Sequence, residues 1–420
     1  MQSLEARSEC RFCRAPLSRT FVDLGVTPLC QTHITKEQLN AMEPFYPLHA
    51  MVCERCLLVQ LDQYVSASDI FEEYAYFSSY SDSWLKHASD YCDMATQRFG
   101  LDAKSLVVEL ASNDGYLLRN FVDKGIPCLG IEPAANVAEV ARERGIETLT
   151  KFFGTKTAGE VRGTVRPADL IIGNNVLAHV PDLNDFVAGM KILLAQDGVI
   201  TMEFPHLLRL MDETQFDTIY HEHFSYFSFY SVDQVFRAHG LVIFDVDQIP
   251  THGGSLRIYA THTPSAQALS ANIEALSREE TAAGLDHIES YLGFQERVNT
   301  IKRDLLEFLI GAKRAGKSVV GYGAPGKGNT LLNYCGIGTD FLDYTVDRNP
   351  YKQGKYTPGS RIPIRDPARI RKTKPDYLLI LPWNLKKEIV SAHAYVGEWG
   401  AQFVVPIPRL ETVAPGSKSP

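Results

Sequence analysis

"SLVVELASNDGYLLRNF", residues 105–121, decides how the rest of the chain is read. An apolar, β-branched run from Leu106 to Leu110 predicts a strand buried on both faces. The small, turn-forming residues of "ASNDG" end it, and a helical pattern follows. That is the opening βα unit of a doubly wound sheet. The texture recurs downstream. "CLGIEPAANVAEVARERG" (128–145) predicts a strand ending at Glu132 and an Ala-rich helix. "ADLIIGNNVLAHVPDLNDF" (168–186) predicts a strand ending near Asn174, and "DGVITMEFP" (197–205) one more.

The first turn also limits the ligand. A dinucleotide needs several glycines so that backbone can approach a pyrophosphate. "ELASNDG" has one, Gly115. S-adenosylmethionine carries ribose and adenine but no phosphate. It asks for a tight turn and an acid after the second strand, and Glu132 stands there. The competing reading of Glu132 is a solvated strand end. Candidate cofactor contacts are Glu109, Ser112, Asn113 and Gly115 around the turn, with Glu132 and Asn174 at the next strand ends.

Upstream, Cys10-Arg-Phe-Cys13 and Cys53-Glu-Arg-Cys56 form two CxxC knuckles. Two such knuckles can close a tetrahedral, fully thiolate zinc site with no open position, hence structural. The other four cysteines (Cys30, Cys92, Cys128 and Cys335) read as small buried hydrophobes.

Downstream, "KSVVGYGAPGKGNTLLNYC" (317–335) fits two phosphate patterns. Gly321, Gly323 and Gly326 satisfy G-x-G-x-x-G after a strand. Asp347, about 20 residues on, stands where a ribose-binding acid would. An NAD-dependent nucleotide-sugar oxidoreductase is therefore a real alternative. The stretch also fits a P-loop up to Lys327, but Gly328 replaces the magnesium-binding Ser or Thr.

Texture divides the chain into residues 1–65, cysteine-bearing and turn-rich; 66–265, alternating strands and helices; and 266–420, a charged helical stretch leading into the second glycine turn. Formal net charge is −8, which gives no general attraction to nucleic acid or anionic membrane. No signal-peptide core follows Met1 and no apolar run could span a bilayer, so the expected location is cytoplasmic.

The ordered set "VVELASNDGYLL", "GIEPA", "NNVLAHVPD", "EFPHL", "YHEHFSYFS", "THGGSLRIY" and "GYGAPGKGNT", behind a CxxC…CxxC region, resembles the sugar C-methyltransferases over nearly the whole chain. The resemblance implies an α/β protein. A small zinc-binding domain precedes a class I S-adenosylmethionine-dependent methyltransferase core of Rossmann-like fold, and a second Rossmann-like domain follows. It implies methylation at C3 of a 4-keto deoxysugar on a nucleotide, dTDP most of all.

That chemistry accounts for "YHEHFSYFS" (220–228). Removing the proton next to a ketone needs a base, and charge developing on the oxygen needs donors. His223 is the candidate base. The resemblance adds Tyr220, Glu222 and His179 as active-site residues and gives His221 weaker support. A polar turn, or a metal site on His221 and His223, are the plainer readings. In "EEYAYFSSYSDSW" (72–84) the resemblance points to Tyr74, with Tyr76 second. His252 and Arg257 of "THGGSLRIY" either line the substrate side or mark entry into an antiparallel edge strand. The glycine turn would help hold the sugar nucleotide through Gly321, Gly323, Lys327 and Asn329; the alternative is a packing role alone. A noncatalytic sugar-nucleotide binder is the remaining possibility.

Overall fold

The computed structural model describes residues 9–65, 79, 82–265 and 267–415. These form two compact units, each made of separated pieces of chain. One comprises Met1–Ser18, Val52–Leu208 and Glu222–Ile288. The other comprises Arg19–Met51, Arg209–His221 and Glu289–Pro420.

The first unit is built on seven strands: β1 (Val107–Leu110), β2 (Cys128–Ile131), β3 (Thr148–Leu149), β4 (Ala168–Asn174), β5 (Leu194–Pro205), β6 (Leu241–Ile249) and β7 (Ser255–His262). Their order is β6-β7-β5-β4-β1-β2-β3. The pairings of β1 with β2 and β4, of β2 with β3 and of β4 with β5 are parallel, and β7 runs antiparallel to β5 and β6. This is the class I methyltransferase arrangement. Every residue of β1 is buried, as a strand covered on both faces requires. The order reverses between β1 and β4, and the carboxyl ends there open the crevice used by ligands of such sheets. Contrary to the edge-strand reading of "THGGSLRIY", β7 is interior, flanked by β5 and β6.

Helix α1 (Asp82–Phe99) buries Ala88, Tyr91, Cys92 and Ala95, a helical spacing, against Val107, Leu170, Ile172 and Tyr259 of the sheet. Helix α2 (Phe229–Ala238) starts with a reciprocal Ser228–Ser231 capping box. The buried carboxylate of Glu280 also accepts from Phe229 N (2.6 Å) and Tyr230 N (2.9 Å) and contacts His206 Nε2 at 2.7 Å. An anion at the positive end of a helix is favourable.

The second unit contains the strand Arg19–Thr27, all but the last residue of the strand Tyr46–Val52, and a six-stranded sheet. That sheet comprises β8 (Val319–Tyr322), β9 (Thr345–Val346), β10 (Ile364–Arg365), β11 (Tyr377–Ile380), β12 (Gln402–Val405) and β13 (Glu411–Val413), in the order β10-β9-β8-β11-β12-β13. All its pairings are parallel except β12 with β13. Helix α3 (Phe294–Arg314) precedes β8, and α4 (Gly326–Cys335) follows its glycine turn. This is a second doubly wound sheet, as the pattern after Lys317 implies.

Candidate active site

The four knuckle thiols converge. Cys10, Cys13, Cys53 and Cys56 place their sulfurs within 4.8 Å of one another. Cys10 Sγ lies 3.6 Å from Cys56 Sγ, and Cys13 Sγ 3.5 Å from Cys53 Sγ. Four sulfurs each about 2.3 Å from a tetrahedral zinc would stand just under ~4 Å apart, so the set fits the ion. Four protein ligands leave no open position, and the metal's work there is structural.

At the end of β1 the chain turns through three left-handed residues: Ala111 (φ 55°), Asn113 (φ 49°) and Gly115 (φ 75°). A Cβ on Gly115 would stand 2.2 Å from Ile146 Cδ1, so this position requires glycine twice over. Glu132, at the end of β2, is buried, not a solvated strand end. Its two oxygens accept from Asn113 N (2.9 Å) and Ala134 N (2.8 Å). Burial raises its carboxyl, and those two amides oppose the rise. Each carboxylate oxygen has a second lone pair available for a ribose hydroxyl. Glu109 is also buried. Desolvation and then the charges of Glu132 and Asp114 push it well above the usual carboxylate range. Among the described residues, Glu109 Oε2, Ser112 Oγ and Asn174 Nδ2 are buried without a protein partner. A polar cradle with open hydrogen-bonding capacity suits the nucleoside and amino-acid ends of S-adenosylmethionine.

Beyond β4, a short 3-10 turn (Leu177–His179) carries His179 toward His223, with ring centroids 4.6 Å apart and an edge-on 72° between planes. The Phe224 amide donates to Ala178 O at 2.7 Å and locks the two segments together. His223 and Glu222 are buried. Desolvation holds the His179 imidazole down to about 4, against the raising effect of its bond to the Glu222 backbone, so His179 is neutral at working pH.

Tyr220 and His221 belong to the second unit, where Tyr220 is half-buried. His221 Nε2 lies 3.0 Å from Pro47 O, with its ring edge-on to Tyr46. Tyr74 and Tyr76 lie outside the described residues.

In the second unit the glycines answer to packing. A Cβ on Gly321 would meet Thr345 Oγ1 at 2.7 Å, and one on Gly328 would meet Leu381 Cβ at 2.9 Å. Gly323, with φ 88°, faces Pro382. Asn329 is buried and donates to Cys30 O at 2.6 Å. Asp347 spends its oxygens on Ala324 N (2.8 Å) and Asn349 N (2.8 Å), closing the turn on itself. Lys327 Nζ donates to Asn384 Oδ1 at 3.0 Å and stands 4.8 Å from the Trp383 ring centroid. Trp383 Nε1 in turn donates to buried Asp217 at 2.8 Å.

Burial pushes the Asp217 carboxyl up to about 7, though the Lys327 charge and the Trp383 bond oppose it. The folded protein therefore keeps this proton where an unfolded chain, ordinary near ~4, has lost it. The associated stability is complete below about pH 4 and is lost as pH rises toward 7. Asp217→Asn cannot ionise, so its urea midpoint should fall less than the wild type's between those limits. Parallel pH profiles would show that Asp217 is ionised throughout.

Three family models match this chain: a zinc-binding domain at residues 10–71, a methyltransferase domain at 84–246 and a C-methyltransferase C-terminal domain at 250–408. Over 406 residues, 97% of each chain, it is 36% identical to C-methyltransferase NovU of Streptomyces niveus. The chain belongs to the C-methyltransferase family. Among solved structures, an S-adenosylmethionine-dependent methyltransferase from Clostridium acetobutylicum matches at 12% identity and a TM-score of 0.34, over 42% of this chain and 92% of that one. Magnesium protoporphyrin IX methyltransferase of Synechocystis, with bound SAH, matches at 12% identity and 0.34, over 43% and 83%. Both are too distant to bear on substrate.

This C-methyltransferase is S-adenosylmethionine-dependent and zinc-binding. Among its described residues no helix is long and apolar enough to cross a membrane. Its first unit also holds a polar cluster that the motifs do not announce. Glu203 is fully buried and contacts Arg257 Nη2 at 3.0 Å, His87 Nε2 at 2.9 Å and Thr251 Oγ1 at 3.1 Å. Burial would raise its carboxyl, but His87 and Arg257 outweigh burial and keep it ionised. Trp84 stacks on His87, and His252 approaches both Trp84 and Asn175. Asn175 (φ 54°) and His252 (φ 56°) are held in left-handed conformations, a strain that gathers at functional sites. The signal for Glu203 lay in "EFP" and "SLR", but only the register pairing Arg257 with Glu203 joins them.

Proposed function

We propose that this C-methyltransferase methylates C3 of a nucleotide-linked 4-keto deoxysugar, of dTDP type, in the cytoplasm, where its thiols stay reduced. The observation that carries the reading is the paired His179 and His223, 4.6 Å apart beyond the strand ends of the methyltransferase sheet. Glu109, Ser112, Asn113, Gly115, Glu132 and Asn174 would hold the methyl donor. When bound, S-adenosylmethionine supplies an electrophilic methyl on a sulfonium.

An imidazole nitrogen of His223 takes the C3 proton. The C–H electron pair moves into the C3–C4 bond, leaving an enolate with charge on the C4 oxygen. The new bond joins C3 to the methyl as the methyl–sulfur bond breaks, with its electron pair staying on sulfur so that S-adenosylhomocysteine leaves and the C4 carbonyl re-forms. Glu222 orients the base, and neutral His179 offers a hydrogen bond that needs no change of charge. Tyr220 and Tyr74 are the candidate donors to the oxygen. No hydride moves in this scheme, and the Asp347 acid of the oxidoreductase alternative is engaged within its own turn. Incubation of the enzyme with a dTDP-4-keto-2,6-dideoxy sugar in deuterium oxide tests the reading. The C3 proton should exchange, and labelled methyl should then appear at C3; labelling at oxygen or at another carbon defeats it.

The nucleotide would sit at the second glycine turn, held by backbone at Gly323 and by the charge of Lys327, with Gly321 and Asn329 shaping the turn. Lys327→Ala should raise the KM for the sugar nucleotide about tenfold, the loss of roughly one charge-assisted contact. The KM for the methyl donor should not move. An unchanged sugar KM would remove this turn from the substrate site.

A further inference from the structure

We infer that Arg11, inside the first zinc knuckle, is a positioning residue that fixes the His179 and His223 segments relative to each other. The inference rests on the reading of those histidines as the reacting groups.

The geometry is specific. Arg11 is 3% exposed although it is a charged residue between two metal ligands. Its Nη1 donates to Pro181 O at 2.9 Å, two residues past His179. Its Nη2 donates to Leu61 O, and Leu61 N donates to Phe224 O, the residue after His223, at 3.0 Å. The guanidinium carbon also stands 5.4 Å from the centre of the Phe224 ring. One planar fork thus touches the chain on either side of the histidine pair.

The surroundings repeat the link. The strand Val59–Leu61, which leaves the second knuckle, pairs antiparallel with Ser225–Tyr226, Val59 opposite Tyr226 and Gln60 opposite Ser225. Gln60 takes a hydrogen bond from Arg11 N at 2.8 Å and gives one to Cys10 Sγ at 3.2 Å. Asn184, just after Pro181, donates to the carbonyls of Arg11 (3.2 Å) and Phe12 (3.0 Å). The zinc ribbon is therefore bonded to both reacting segments, and the Arg11 side chain contacts both. A stability role alone would not need a desolvated cation here, because burying charge is costly unless its donors are met. The flat fork and the ring contact suit arginine and not lysine.

The test compares Arg11→Met, Arg11→Lys and His223→Asn with the wild type. Zinc per chain, the Kd for S-adenosylhomocysteine, the thermal midpoint, kcat and both KM values are measured. Displacement of reacting groups by about 1 Å costs on the order of 10²-fold in rate. Arg11→Met should therefore lose about that factor in kcat while zinc content, the S-adenosylhomocysteine Kd and both KM values stay near wild type. Arg11→Lys should recover only part of the loss. Wild-type kcat in a folded Arg11→Met, with His223→Asn inactive, overturns the inference. Failure of both Arg11 variants to fold assigns the residue to folding and overturns it as well. An active His223→Asn instead shows that the site was misassigned.

Discussion

His223→Asn should keep its zinc and bind S-adenosylhomocysteine normally, yet lose methyl transfer by a factor of about 10²–10⁴, the usual contribution of a general base. Asparagine preserves the size and one polar contact of the ring but cannot accept a proton in this pH range. The packing should survive because the residues that follow His223 are fixed by backbone bonds. Phe224 N bonds Ala178 O, and Ser225 and Tyr226 lie in a strand pairing. Deuterium exchange at C3 should fall with kcat, since both report the same deprotonation. His179→Asn is the informative contrast. Its ring is already neutral, and an amide can replace a neutral hydrogen-bonding group, so the loss should be smaller. If His179→Asn abolishes exchange while His223→Asn does not, the base is His179.

The second large effect is on the metal. Cys53→Ser, or prolonged chelation of the wild type, should cause loss of soluble protein before any specific kinetic defect appears. Metal binding at four thiolates contributes about 10–16 kcal/mol in zinc-finger peptides near neutral pH, comparable to the stability of a whole domain. Cys53 is fully buried, and its sulfur lies 3.5 Å from that of Cys13. A hydroxyl there is a poor zinc ligand and leaves three thiols facing one another. Metal analysis alongside the melting curve checks this. A fully folded wild-type protein carrying no zinc would sink the structural role of the site.

Much of this was legible beforehand, for physical reasons. "VVEL" had to be a strand covered on both faces, and Glu132 stood where an acid for a ribose would, though its bonds to the Asn113 and Ala134 amides are seen only in the structure. Cys10, Cys13, Cys53 and Cys56 declared themselves because thiol pairs at that spacing have few other uses. Local pattern fails where long-range register decides. Nothing in "THGGSLRIY" tells an edge strand from an interior one, because its pairing with β5 is not written nearby. For the same reason the pairing of Glu203 with Arg257 cannot be read until the strands align them. The second glycine turn is ambiguous for a different reason. G-x-G-x-x-G does not distinguish a glycine that yields to phosphate from one that yields to Thr345 or Leu381. Arg11 is the extreme case. A charged spacer in a knuckle reads as solvated, and only carbonyls 50 and 170 residues away make it a buried strut.

That 170-residue separation between Arg11 and Pro181 also sets an order of events during synthesis. The cysteines that hold the metal all emerge within the first 56 residues, whereas the strand partner of Val59, Tyr226, emerges far later. Contacts of such long range close slowly and come after local ones. A nascent chain therefore completes its cysteine set well before His179 or His223 has left the ribosome. The ribbon then waits, with one strand edge unpaired, for most of the methyltransferase sheet to be made. Exposed edges of that kind are where growing chains associate wrongly. Zinc supply and translation speed thus bear on the yield of active enzyme through the same few residues.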